Sequence, residues 1–156
     1  MSDSKKLIVI SHAPSPNTKK LLDAVMVGAG KVESTCVDAK FIQPLDTQPA
    51  DIMTAQAIII GTTENLGYMA GLIKDVFDRC YYDCLEHTQG LPFTFYVRAG
   101  HDGTGTKRAI ESITTGLRWR LVQEPLICTG TFSEEFITQC EDLGSTMAAS
   151  LEAGII

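Results

Sequence analysis

The sequence has no long apolar run. Its two most continuous aliphatic stretches, residues 7–10 (LIVI) and 57–60 (AIII), span four positions each, whereas a membrane-crossing helix needs about 20. The first six residues, MSDSKK, are polar and only four apolar residues follow. That leaves no core for a secretory signal and makes a soluble, cytoplasmic protein the expectation. Positive charge is scarce: 13 Lys and Arg stand against 19 Asp and Glu, a net charge of −6. This balance argues against nucleic acid or an anionic membrane as a partner. There is no C-x-x-C pair, and the cysteines (Cys36, Cys80, Cys84, Cys128 and Cys140) are odd in number, so free thiols are expected rather than a disulfide framework. Neither G-x-G-x-x-G nor G-x-x-x-x-G-K-[ST] occurs, which removes the dinucleotide fingerprint and the nucleoside-triphosphate loop. Repeats, low-complexity tracts and linkers are absent as well.

The 156 residues, 44% hydrophobic and 21% charged, match one ordinary globular domain spanning 1–156. Short β-like runs alternate with longer helical periods. Residues 7–10 read as a buried strand, and 11–17 (SHAPSPN) as the turn into a helix carrying Leu21, Leu22, Val25, Met26 and Ala29, closed by Gly30. A weaker second strand is expected over 31–37 with Val32 and Val37 as its apolar members, then a short helix near 51–55 and a third strand at 57–60. Met69, Leu72, Ile73, Val76, Phe77, Cys80 and Cys84 form one helical stripe. A fourth strand (93–97), a glycine-rich turn (100–105), a helix with Ala109, Ile110, Ile113 and Leu117 inward, and a fifth strand (126–128) follow. Ser133 caps a last helix with Glu134 and Glu135 in its first turn. Five strands alternating with helices imply βαβ units: a parallel sheet covered by helices on both faces. Ligands of such sheets bind beyond the carboxyl ends of the strands, so the loops after strands one, three and four are the ones to inspect.

The first of these loops runs from a strand directly into a helix N-terminus, where free amides and the helix dipole favour an anion. Ser15 as N-cap with Pro16 after it is also simply a well-formed helix start. Capping does not account for Lys19 and Lys20 within the first turn and a half, which the dipole disfavours unless an anion sits nearby. Cys80, Cys84 and His87 share a helical face that could hold a metal. The continuous apolar stripe favours Cys80 in the core and no metal.

The stretch 11–22, S-x5-N-T-x2-L-L, resembles the phosphate loop of the flavodoxin-like superfamily. It is most similar to the branch of NADPH-dependent FMN reductases and NAD(P)H quinone oxidoreductases. Ser11, Asn17 and Thr18 fall on that branch's phosphate-binding positions, with His12, Ser15 and Pro16 beside them; Pro16 stands where glycine is usual. The segment 60–79, IGTTENLGYMAGLIKDVFDR, resembles the loop that wraps the isoalloxazine ring, with Thr63 in place of proline and Leu66 in place of an aromatic. The resemblance implies ring contacts from Thr62, Thr63, Glu64, Asn65, Leu66, Gly67, Tyr68 and Met69. The stretch 98–105, RAGHDGTG, matches a third flavin loop by position and glycine content. Ala99, Gly100, His101, Asp102 and Gly103 would then meet the pyrimidine edge, although a bare glycine turn reads equally well.

Across residues 7–153 the resemblance implies a flavodoxin-like three-layer α/β sandwich, a five-stranded parallel sheet in order 2-1-3-4-5, in the short form with no insertion splitting strand five. It implies FMN as cofactor, NAD(P)H as electron donor, and hydride transfer through the flavin to a quinone, a flavin or a similar acceptor. No catalytic acid or base is required. The alternatives left open are a flavodoxin-type electron carrier serving a redox partner protein and a flavin-free regulatory domain; a homodimer is compatible with each. Lys107 and Arg108, with Arg98 nearby, stand on either a solvated helix face or an anion contact.

Overall fold

A computed structural model of the protein describes residues 4–31 and 36–156. In chain order the elements are β1 (Lys5–Ser11), α1 (Pro16–Gly30), β2 (Val37–Ile42), a 3-10 turn (Pro44–Asp46), α2 (Pro49–Met53), β3 (Ala57–Asn65), β4 (Tyr68–Met69), α3 (Gly71–Cys84), β5 (Pro92–Ala99), α4 (Thr104–Gly116), β6 (Arg120–Leu121), β7 (Leu126–Thr129) and α5 (Glu134–Glu152). The sheet runs β2-β1-β3-β5-β6, with β7 also beside β5 and β4 folded back onto the end of β3. Every pairing is parallel except β3 with β4. This is the expected 2-1-3-4-5 arrangement with two additions, bringing the strands to seven.

The central strands are continuous apolar runs because both faces are covered, and alternate residues feed two cores. Ile8, Ile10, Ile58, Ile60, Phe93 and Phe95 pack against Ile73, Val76, Phe77 and Cys80 of α3, Ile110 of α4, and Trp119. Leu7, Val9, Ile59 and Tyr96 pack against Leu21 and Val25 of α1 and Cys140, Leu143 and Met147 of α5. Cys80 lies in the first core, as the stripe implied, and burial pushes the Cys84 thiol up to about 11. His87 is exposed beyond the end of that helix. Among the described residues no helix is long and apolar enough to cross a membrane.

Four sequence expectations need correction. The second strand is Val37–Ile42, not 31–37: Lys31 caps α1, and residues 32–35 lie outside the described residues. An edge strand with no fully buried residue carries little apolar signal. Strand three continues to Asn65. Met69 precedes α3, lying in β4. The strand-five position is filled by two short pieces, β6 and β7, separated by residues 122–125.

Helices α1 and α5 pack closely through two glycines. A Cβ on Gly28 would run into the carbonyl oxygen of Glu141, and one on Gly144 into that of Val25. Helix propensity favours Ala over Gly by about 1 kcal/mol, but forcing atoms into a packed contact costs about 1–3 kcal/mol. Here the obstruction is backbone, which cannot rotate away. Gly144→Ala is therefore expected to destabilise the protein by about 1–2 kcal/mol, read as a lower urea midpoint. Gly30→Ala, where a Cβ meets nothing within 4 Å, should leave that midpoint unchanged or raise it; equal losses at both positions would contradict the packing argument.

Candidate functional site

Parallel strand order places the ends of β1, β3 and β5 side by side, and a buried knot joins them. The hydroxyls of Ser11 and Tyr96 bond at 2.8 Å with both residues buried. Burial and the bond from Ser11 act in opposite directions on the Tyr96 phenol; burial dominates and pushes its pKa up. Gly61 lies against this pair: a Cβ there would collide with the Tyr96 ring and the Ser11 hydroxyl. The Ser11 hydroxyl thus has one partner inside the fold, and Gly61 packs against that pair. The amide of His12 donates to the Gly61 carbonyl at 2.9 Å, and partial burial lowers the His12 pKa, which favours the neutral imidazole.

The loop after β1 ends in a reciprocal cap. Ser15 N–H donates to Thr18 Oγ1 at 2.9 Å and Thr18 N–H to Ser15 Oγ at 3.1 Å. Pro14 and Pro16 bring no amide hydrogen. Among the described residues, the amides of Ala13 and Asn17 have no partner within the loop, and the Asn17 side chain is exposed. Helix α1 carries no acidic residue in its first turn, and neither Lys19 nor Lys20 is in an ion pair among the described residues. The arrangement can receive an anion with Asn17, the two amides and Lys19. On its β2 side, a cavity of about 240 Å³ is lined by His12, Lys19, Phe41, Leu45 and Leu72, among others; no sequence pattern joined those residues.

The segment after β3 is a β-hairpin. Glu64 pairs with Met69 and Asn65 with Tyr68, and the two-residue turn, Leu66 and Gly67, has φ of 52° and 75°, as a type I′ turn requires. Inside it Thr62 Oγ1 accepts the Ala70 N–H at 3.0 Å, and Thr63 Oγ1 donates to Asn65 Oδ1 at 2.8 Å. Met69 points into the core under the hairpin and is not a surface contact. Asn65, Leu66 and Tyr68 are exposed, Leu66 completely so. The hairpin tip docks on α4: a Cβ on Gly105 would meet the Gly67 carbonyl, and Thr106 Oγ1 donates to the Tyr68 carbonyl at 2.9 Å. Gly105 is therefore required by this contact.

In the loop after β5, Ala99 is buried while Gly100, His101 and Asp102 are exposed. Gly103 turns the chain into α4 at φ 71°. Asp102 Oδ1 accepts the Thr104 N–H at 3.0 Å, and bonds from Thr104 hold its carboxyl below the usual range. The Glu64 carboxylate crosses from the hairpin to accept the amides of His101 at 2.7 Å and Gly103 at 2.9 Å. Those amides had been expected to face a ligand. Arg98 donates to the carbonyls of Ala99, Cys128 and Gly130 and lies over the rings of Phe132 and Phe136. Lys107 pairs with Glu111 on the outer face of α4, the solvated-face alternative. Cβ atoms on Gly67 and Gly100 would meet nothing within 4 Å, so the hairpin turn and the loop after β5 both present open backbone.

No protein-family model matches the chain. A flavodoxin of Aquifex aeolicus (strain VF5) is 29% identical over 112 residues, 72% of this chain. The match spans 60% of that flavodoxin's own length. Among solved structures, a flavodoxin from the domain Archaea superposes with a TM-score of 0.75 at 21% identity, covering 94% of this chain and 99% of that one. A "flavodoxin, WrbA-like protein" from Agrobacterium tumefaciens gives 0.72 at 15% identity, covering 97% and 99%. With the strand order described above, these likenesses establish that the chain has the flavodoxin-like α/β fold.

Proposed function

We propose that the chain binds FMN across the three loops and works as an NAD(P)H-dependent oxidoreductase that passes hydride to a small acceptor such as a quinone or a flavin. The observation that carries this reading is the uncovered seat beside the hairpin: open space at Gly67 and Gly100, exposed Leu66, and no aromatic residue in the loop after β5 to lie over a ring. FMN fits the site in its general chemistry, an anion at one end and a flat, largely apolar ring at the other. The phosphate would be held by Asn17, the amides of Ala13 and Asn17 and the charge of Lys19. The ring would lie against Leu66 and the hairpin backbone, with Tyr68 at its rim. When bound, FMN supplies the hydride-accepting chemistry, and the protein supplies position and an open face. No side chain at the site is assigned a proton transfer.

A flavodoxin-type carrier serving a redox partner protein is the second reading. It is favoured by the Glu64 carboxylate at the amides of His101 and Gly103 and by the engagement of Arg98 with the carbonyls of Ala99, Cys128 and Gly130, since negative charge there disfavours a reduced anionic ring.

Three measurements test the proposal. Protein mixed with FMN should keep its yellow absorbance through desalting, oxidise NADPH or NADH with a benzoquinone acceptor, and take up both electrons in one spectral step during reductive titration. Two resolved one-electron steps without pyridine-nucleotide oxidation would favour the carrier, and a colourless protein would remove both readings. Asn17→Ala should weaken FMN by about 1–3 kcal/mol through loss of a charge-assisted bond, with riboflavin affected far less; equal losses would misplace the phosphate. Leu66 takes the left-handed conformation its turn requires, but a fully exposed leucine is an unusual residue there and points to contact with something outside the fold. Leu66→Asn, which creates the favoured Asn-Gly turn, should raise the stability of the cofactor-free protein by about 0.5–1 kcal/mol yet weaken FMN binding. Stabilisation with unchanged affinity would show that Leu66 does not touch the ring.

A further inference from the structure

The start of α4 is closed by the chain's own carboxylates. Glu64 Oε1 takes the His101 amide, Glu64 Oε2 the Gly103 amide, and Asp102 the Thr104 amide. Glu64 is half-buried and in no ion pair among the described residues. Its charge is balanced by these amides and by the positive end of α4, whose first turn holds no acidic residue. The other titratable side chains at this spot are His101 and Asp102, both exposed. Of the cations in this part of the chain, Arg98 bonds to the carbonyls of Ala99, Cys128 and Gly130, and Lys107 pairs with Glu111.

Resting on the reading that FMN binds here, we propose that Glu64 is a specificity-determining residue that competes with the cofactor's pyrimidine edge for the amides of His101 and Gly103. With its carboxylate in place, the seat accepts a neutral ring edge, whose oxygen needs those amides least. An edge that has gained negative charge on two-electron reduction is repelled by the carboxylate and gains the amides only when Glu64 leaves them. The carboxylate sits on a hairpin strand beside a turn whose two residues both have positive φ, and its release breaks two hydrogen bonds without opening either hydrophobic core. A carboxylate that only stapled the loops together would act oppositely, and its removal would loosen the site for every ligand.

The test uses Glu64→Gln, which keeps the shape and removes the charge, and Glu64→Ala, which vacates the amides. Binding of oxidised and of dithionite-reduced FMN is measured anaerobically by titration, with the urea midpoint as a control of folding. Both variants should tighten the reduced form by about tenfold or more while changing the oxidised form by less than about threefold. Weaker binding of both forms, or an equal change in both, overturns the proposal. A second readout needs no flavin: amide chemical shifts of His101 and Gly103 are followed as formate is added to the cofactor-free proteins. The expected result is a saturable shift in Glu64→Ala and none in wild type. If no protein binds FMN, the flavin reading fails, and formate shifts that are equal in wild type and variant, or absent from both, refute the competition by Glu64 separately.

Discussion

A buried phenol must find a hydrogen-bond partner or lose about 1–3 kcal/mol, and the layout of this molecule follows from how Tyr96 finds its own. Its partner is Ser11, at the end of a strand two places away, and the two meet over Gly61 on the strand between them. Any side chain at Gly61 would separate them. The bond fixes where the loops after β1 and β3 leave the sheet, and the His12-to-Gly61 amide bond repeats the constraint in the backbone. In the loop after β1, two prolines and a reciprocal cap leave, among the described residues, the amides of Ala13 and Asn17 and the exposed Asn17 and Lys19 side chains as groups without partners in the loop.

The hairpin after β3 is the second organising feature. It is tied to α4 and the loop that precedes it at three points: the glycine contact of Gly67 with Gly105, the bond of Thr106 to the Tyr68 carbonyl, and the Glu64 carboxylate on the amides of His101 and Gly103. The first two hold the tip against the helix through backbone, leaving Leu66 and Tyr68 free at the surface. The third is electrostatic and can be exchanged for another acceptor. A rigid frame with one exchangeable bond is an arrangement in which the charge of a ligand, as well as its shape, can govern affinity.

Much of the fold was legible because buried parallel strands and amphipathic helices write themselves as continuous or 3.6-periodic apolar runs. LIVI, AIII and the stripe from Ile73 to Cys84 are examples. The edge strand β2, VDAKFI, has no buried residue and left no such mark. The hairpin was hidden because Leu-Gly is an unusual pair for its turn. The division of strand five was hidden because its pieces are two and four residues long. At the site, the capping of α1 by Ser15 and the exposure of Asn17 could be read locally. The Ser11–Tyr96 bond joins residues 85 apart and the Glu64 bonds span 37 and 39; separations of that size leave no periodic trace. Arg98 is a further case. Its guanidinium is taken up by the carbonyls of Ala99, Cys128 and Gly130 and lies over Phe132 and Phe136, contacts that no local pattern announces.

The proposed FMN spans from the start of α1 to the hairpin and the loop after β5. The most direct test is an amide chemical-shift map of the isotopically labelled protein during FMN titration. The account predicts saturating changes at 13–18, 64–68 and 100–103 together, with the outer face of α4 around Lys107 and Glu111 and the glycine contact of α1 with α5 undisturbed. Changes concentrated on that outer face, or in the cavity beside Phe41 and Leu45 without the hairpin, would contradict it.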